Sequence, residues 1–117
     1  MQVAQGGVSY TLVDPVELRS RLARGESFTI LDMRSPERYL ASGESIAGAV
    51  RLPPDEFERR RAEVPRGKTP VLVADPERAE ELAAWLVREQ GYTDVYVIEG
   101  GLEAFRRAGG GMVRVGK

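Results

Sequence analysis

The stretch VLVADPERAEELAAWLVREQG (residues 71–91) places a short apolar run, a tight loop and the clearest helical pattern of the chain in direct succession. Residues 71–73 are apolar throughout, which is typical of a strand covered on both faces. The helical pattern is an apolar stripe at positions i, i+3, i+4, i+7 and i+8, formed by Ala79, Leu82, Ala83, Leu86 and Val87. We expect this helix to cover residues 76–90, with Pro76 in its first turn and Gly91 at its end.

Strands and helices alternate in the same way along the rest of the chain. Further β-prone runs lie at residues 28–31, 49–52 and 95–98. Further helices are predicted at residues 14–23, 36–41, 55–63 and 102–107. Three helices begin at an Asp-Pro or Ser-Pro pair, in which the first residue caps the helix and proline takes the first helical position. This alternation predicts a three-layer α/β/α fold, with a central, mostly parallel sheet and helices on both sides.

One domain accounts for nearly the whole chain, because 117 residues suit a single folded unit. Residues 1–8 are predicted to form a loose N-terminal tail, residues 9–108 the domain, and residues 109–117 a C-terminal tail. Residues 108–111, Ala-Gly-Gly-Gly, are predicted to be a flexible joint before that tail.

The charge balance argues against several classes of partner. Seventeen basic residues stand against eighteen acidic ones, whereas a nucleic-acid-binding domain normally carries a basic excess. The run Arg59–Arg61 lies among four acidic residues and is expected to be a solvated helix face. No apolar stretch is long enough to span a membrane, and residues 1–10 show no secretory signal. We therefore expect a cytoplasmic protein that binds neither nucleic acid nor membranes.

The composition also restricts the chemistry. The chain has no cysteine and no histidine, so it has no thiolate nucleophile, no persulfide, no zinc–thiolate site and no imidazole base. Carboxylates, hydroxyls, Lys, Arg and backbone dipoles remain. Asp75 follows a strand, but no second Asp stands two residues later, and a helix cap is the favoured role for it. We expect no metal site and no cofactor.

Three loops should follow the carboxyl ends of the strands, where open α/β sheets bind ligands: residues 32–36, 74–79 and 99–102. The first of them opens LDMRSPERYLASGESIAGAVRLP (residues 31–53). This segment resembles the rhodanese pattern of Asp-x-Arg, Glu-Tyr, Gly-His-Ile-x-Gly-Ala and a short strand. Residues 71–105 resemble the second half of that pattern, from the apolar strand to Gly-Gly and a following aromatic residue. The resemblance to the rhodanese-like family covers about residues 9–108.

The departures from the family pattern concern its active site. In catalytic rhodaneses a cysteine opens a six-residue loop and accepts sulfane sulfur. Counting back from Gly91 through an ungapped helix puts that position at Ala74. The counterpart of the rest of the loop is then Asp75, Pro76, Glu77, Arg78 and Ala79. The histidine of the family pattern falls at Ser45, and Phe105 replaces its usual tryptophan.

The resemblance also implies candidates for the rim of a pocket around that loop. They are Asp32, Arg34, Tyr39, Ser45, Gly100 and Gly101. A structural role is the alternative for each of them. Asp32 and Arg34 are favoured to tie a loop to the sheet through an ion pair, Ser45 suits a turn, and the two glycines suit close backbone approach.

Three functional hypotheses follow. The first is a non-catalytic rhodanese-like domain that acts as a binding or regulatory module. This hypothesis, under which the chain is not an enzyme, is the favoured one. The second is an enzyme that uses other groups in the same pocket, such as a carboxylate-assisted hydrolase or an anion-binding enzyme. The third is a sulfur-relay partner that shields a persulfide carried by another protein.

Overall fold

A six-stranded sheet forms the centre of the structure, a computed structural model that describes residues 2–5, 8–64, 67–92 and 94–115. Its strands are β1 (Gln2–Gln5), β2 (Val8–Val13), β3 (Phe28–Asp32), β5 (Val50–Arg51), β6 (Thr69–Val73) and β7 (Tyr96–Ile98). They lie in the order β1-β2-β7-β6-β3-β5. The neighbouring strands β2, β7, β6, β3 and β5 run parallel to one another, and β1 pairs antiparallel with β2. The predicted α/β fold with a central parallel sheet is thereby confirmed.

Five α-helices connect the strands in the described part of the chain. They are α1 (Pro15–Ala23), α2 (Pro36–Ser42), α3 (Phe57–Arg60), α4 (Ala79–Gln90) and α5 (Gly101–Arg107). Short 3₁₀ turns precede and follow α3 at Pro54–Glu56 and Arg61–Glu63, and another precedes α4 at Pro76–Arg78. None of the described helices is long and apolar enough to cross a membrane.

Two of the three expected side-chain caps are present. The Asp14 carboxylate accepts hydrogen bonds from the backbone N–H groups of Val16 and Glu17 at the start of α1. The Ser35 hydroxyl accepts one from the N–H of Arg38 at the start of α2. Each cap satisfies donors that the first helical turn leaves without a partner.

Apolar side chains cover both faces of the sheet. On one face, Leu31 and Leu72 pack with Leu86 of α4 and with Phe57 of α3, whose ring meets Trp85 edge to face at 4.3 Å. On the other face, α1 and α5 supply further buried residues: Leu18 and Phe105 pack against Ile30, Val71 and Ile98. The last four residues of both β3 and β6 are buried, as expected for central strands of a parallel sheet.

Both predicted tails differ from the structure where they can be compared. Gln2–Gln5 form β1, and Met112–Arg114 form β8, which pairs antiparallel with β4 (Glu44–Ile46) in a separate two-stranded sheet. Residues 1, 6, 7, 116 and 117 lie outside the described residues. Long-range pairing explains the difference, because neither segment carries a strong β pattern of its own.

Candidate functional site

Ala74 lies at the junction where the central strand β6 passes into α4. The strand ends at Val73, Ala74 is half-buried, and the 3₁₀ turn Pro76–Arg78 leads into the helix. The backbone N–H of Arg78 donates to the carbonyl of Asp75 at 2.9 Å, which closes the turn. Ala74 therefore occupies the end of a central parallel strand, the usual place for chemistry in such a sheet.

The Asp75 side chain does not have its predicted role. It makes no capping hydrogen bond to the turn that follows it. Instead, its buried carboxylate accepts from the backbone N–H of Ser35, with both oxygens 3.3 Å from the nitrogen. The prediction of a helix cap is wrong because a carboxylate buried between two strand-to-helix loops finds its donor in the neighbouring loop. Asp75 consequently ties the loop at residues 74–79 to the start of α2.

Three other side chains of the loop contact different parts of the structure. Glu77 is exposed and forms an ion pair with Arg38 of α2, 3.1 Å apart. Arg78 pairs with Glu81 one turn later at 3.3 Å. Ala79 lines the pocket beside Ala74.

That pocket has a volume of about 350 Å³ and lies between the ends of β2, β6 and β7 and the start of α4. Its walls are mainly apolar: Leu12, Leu72, Val73, Ala74, Pro76, Ala79, Val97 and Ile98. Gly100 and Gly101 also line it, at the start of α5. Two exposed acidic residues, Glu80 and Glu99, also line it. We call this space the Ala74 pocket.

Tyr10 contributes the remaining polar group to the Ala74 pocket. It is 6% exposed, and its ring packs into the core cluster on the α4 face of the sheet. Burial, and to a smaller extent the negative charge of Glu80, raise the pKa of the Tyr10 phenol above its ordinary value. The phenol is therefore protonated at neutral pH and is available to donate or accept a hydrogen bond.

Asp32, Arg34 and Ser45 form a buried network outside the Ala74 pocket. The Arg34 guanidinium donates to both oxygens of the Asp32 carboxylate, at 2.9 and 2.6 Å, which is the ion pair expected from the sequence. The Ser45 hydroxyl donates to the same carboxylate at 2.6 Å. Asp32 is fully buried and Arg34 is 5% exposed. The network joins the end of β3 to α2 and β4, because Arg34 also donates to the Ser42 hydroxyl and the Glu44 carbonyl.

Arg51 and Tyr39 cover this network. Arg51 donates to the backbone carbonyls of Asp32 and Arg34, at 3.1 and 2.6 Å, and its guanidinium lies 4.1 Å from the centre of the Tyr39 ring. Burial lowers the pKa of Arg51 from its ordinary value, and the Asp32 carboxylate opposes that effect. No sequence pattern indicated Arg51 as part of this network.

The sequence-predicted residues therefore fall into two places. Gly100 and Gly101 share the Ala74 pocket with Ala74, Pro76 and Ala79. Asp32, Arg34, Tyr39 and Ser45 belong to the buried network. The sequence did not predict the polar residues of the pocket, which are Tyr10, Glu80 and Glu99. Among the described residues, no group of three acidic side chains lies in a position to hold a metal ion.

The parallel sheet, the junction at Ala74 and the adjacent pocket define an α/β domain with a pocket beyond the carboxyl ends of its strands, where open sheets of this kind bind ligands. A family model described as the rhodanese-like domain matches residues 14–108. The chain belongs to that family.

Individual relatives agree with this assignment. A protein named sulfurtransferase from Allochromatium vinosum is 32% identical over 98 residues, which are 83% of this chain and 89% of that protein. The crystal structure of the Alr3790 protein from Anabaena sp. superposes with a TM-score of 0.71 at 28% identity, covering 88% of this chain and 82% of the other. The solution structure of the rhodanese-like domain from Alr3790 gives a TM-score of 0.70 at 29% identity, covering 89% and 79%.

Proposed function

We propose that this chain is a non-catalytic rhodanese-like domain that serves as a binding or regulatory module for a partner connected with sulfur transfer. One observation carries the proposal: the residue at the junction of β6 and α4 is Ala74, whose methyl group cannot accept a sulfur atom. No cysteine elsewhere in the chain can replace it.

The rest of the loop supports this interpretation. Pro76 has no backbone N–H to donate to an anion. Asp75 is held by Ser35, and Glu77 is paired with Arg38 on the exposed side of the loop. These contacts hold the loop in place without presenting a nucleophile to the pocket.

A sulfur-transfer assay tests the proposal. Purified protein mixed with thiosulfate and cyanide is expected to form no thiocyanate above the uncatalysed rate, and its intact mass is expected to stay unchanged after thiosulfate treatment. A cysteine-containing rhodanese in the same assay serves as the positive control. Sustained turnover, or an added mass of one sulfur atom, would refute the proposal.

The alternative function is an enzyme that uses carboxylates near the same loop. It requires a carboxylate with an altered pKa beside a bound substrate. The carboxylates that line the Ala74 pocket belong to Glu80 and Glu99, and Asp75 and Glu77 are not among its lining residues. A turnover screen of small hydrolysable substrates separates the two functions: conversion of one compound that is lost in Glu80→Gln or Glu99→Gln would favour the enzyme.

Restoring the sulfur atom alone is expected to leave the site inactive. In an Ala74→Cys variant the thiol should titrate at or above its ordinary pKa of about 8.5, because the negative charges of Glu80 and Glu99 line the same pocket and oppose the thiolate. The measurement is the pH dependence of alkylation by iodoacetamide, followed by the thiosulfate assay.

A matched variant tests the cause of the raised pKa. Adding Glu80→Gln and Glu99→Gln to Ala74→Cys should lower the thiol pKa by roughly half a unit or more, because both like charges are removed. A thiol in the single variant that titrates near or below neutrality would show that the loop still stabilises an anion, which contradicts the prediction.

A further inference from the structure

The Ala74 pocket is unusual in the charge of its rim. Its two charged groups are the carboxylates of Glu80 and Glu99, and the pocket has no basic lining residue. Within the part of the chain that the structure describes, neither carboxylate takes part in an ion pair. Glu80 lies in the first turn of α4, where the helix dipole favours an acidic residue. That explanation does not apply to Glu99, which follows β7.

Tyr10 provides an independent polar contact for a ligand. Its side chain is more than nine-tenths buried and lines the pocket, and its hydroxyl has no hydrogen-bond partner among the described residues. The hydroxyl is therefore open to the space of the pocket, where water or the polar end of a ligand can supply its partner.

The size and walls of the pocket restrict what that ligand is. About 350 Å³ bounded mainly by aliphatic side chains accommodates an extended hydrocarbon stem. The two carboxylates repel an anion and attract a cation. A lysine side chain combines both properties, since its ammonium carries three donors at the end of four methylene groups and can reach acceptors on separate elements.

We propose that the Ala74 pocket binds a lysine side chain of a partner protein, with the aliphatic stem against the β6 and β7 walls and the ammonium near Glu80, Glu99 and the Tyr10 hydroxyl. This inference rests on the proposed function as a binding module and names the chemistry of its partner. The proposed ligand is opposite in charge to a sulfur oxyanion, because a loop that binds such an anion needs donors where this pocket carries acceptors.

Peptide titrations followed by NMR test the inference. The probe is Ac-Gly-Ser-Lys-Ser-Gly-NH₂, added to ¹⁵N-labelled protein, and the readout is the chemical shift of the amides of Ala74, Gly100 and Gly101. We expect saturable shifts with a dissociation constant on the order of 1–10 mM at low salt, as suits one side chain. Raising the ionic strength from about 20 to about 200 mM should weaken binding several-fold.

Three variants identify the contacts. Glu80→Gln with Glu99→Gln should weaken binding at least about fivefold, because the attraction between opposite charges is lost. The control, Glu37→Gln with Glu89→Gln, removes the same net charge from two exposed positions outside the pocket and should change affinity less than about twofold. Tyr10→Phe should weaken binding about twofold while it preserves the ring.

Other probes define the results that would overturn the inference. The same peptide with N-acetyl-lysine, or with glutamate in place of lysine, should cause no saturable shifts at these amides. Equal binding of either peptide, no shifts with the lysine peptide, or tighter binding of thiosulfate than of that peptide would refute a lysine site. At least about tenfold tighter binding of free 1,5-diaminopentane would refute a protein side chain as the occupant.

The outcome is independent of the sulfur-transfer assay. Absent peptide binding together with absent thiocyanate formation would refute the lysine site and leave the non-catalytic role intact. Thiocyanate formation would refute the non-catalytic role whatever the peptides do.

Discussion

Replacing Asp32 with alanine is expected to lower the free energy of unfolding by about 3–5 kcal/mol, because it removes one partner of a buried ion pair and leaves the Arg34 charge without compensation. The Asp32 carboxylate is fully buried and accepts hydrogen bonds from both the Arg34 guanidinium and the Ser45 hydroxyl. Loss of the carboxylate therefore leaves two buried donors unpaired. Urea denaturation at neutral pH, followed by circular dichroism, measures the effect.

Two further variants test whether the loss of stability arises because the Asp32 network is buried. Ser45→Ala removes one hydroxyl donor to the same carboxylate and should destabilise the protein by about 1–3 kcal/mol. Glu77→Ala breaks an ion pair with Arg38 in which both side chains are at least half exposed, and it should change stability by less than about 1 kcal/mol. A loss below about 1 kcal/mol for Asp32→Ala would contradict a stabilising role for the network.

Local signals explain which parts of the fold could be predicted. The apolar stripe of α4 and the caps at Asp14 and Ser35 depend on residues within a few positions of one another, and all three were predicted correctly. Asp75 precedes a proline, as Asp14 does, so the same local pattern predicted a cap at both positions. The donor to the Asp75 carboxylate, however, is the N–H of Ser35, forty residues away in sequence, so no local rule could identify it.

Strand pairing explains most of the remaining differences. β4 has three residues, and it pairs with β8 across more than sixty positions of sequence. The weak apolar pattern of residues 112–115 was visible in the sequence, but its partner was not. β2 was not predicted either, because its first residue, Val8, belongs to the segment that was interpreted as a tail.

The candidate site shows the same division. Ala74 could be placed because a strand, a loop and a helix follow one another directly in residues 71–91. Tyr10, Glu80 and Glu99 could not be assigned to one pocket, since they belong to elements that become neighbours only through the sheet order β2-β7-β6. A tyrosine in a strand and an acidic residue after a strand carry no distinguishing pattern by themselves.

Phe105, which stands where the family pattern has a tryptophan, packs against a neighbouring glycine, Gly110. The ring is 1% exposed, and a Cβ atom added at Gly110 would lie 2.1 Å from Cε2 of Phe105 and 2.4 Å from Cδ2 and Cζ. Gly110 also donates its backbone N–H to the Phe105 carbonyl at 3.0 Å. The ring therefore packs directly on the glycine backbone, where no larger residue fits.

Truncating this ring is expected to have an effect as large as the loss of Asp32. Phe105→Ala should lower the free energy of unfolding by about 3–5 kcal/mol, because it removes a buried aromatic side chain and leaves a cavity. Gly110→Ala should lower it by about 1–3 kcal/mol, because the new methyl group forces the ring out of its position. Gly111→Ala is the control: its Cβ would lie 3.8 Å from Ala47 Cβ, an ordinary contact, and stability should change by less than about 1 kcal/mol.

The double variant tests whether Phe105 and Gly110 affect stability through the same packing contact. In Phe105→Ala with Gly110→Ala, the added methyl group enters the volume that the ring has left, so the double variant should be more stable than the sum of the single effects by about 1–2 kcal/mol. Strictly additive losses, measured by urea denaturation under identical conditions, would show that Gly110→Ala acts on the backbone and not on the ring. Coupling of the expected sign would locate the steric requirement for glycine in the contact with Phe105.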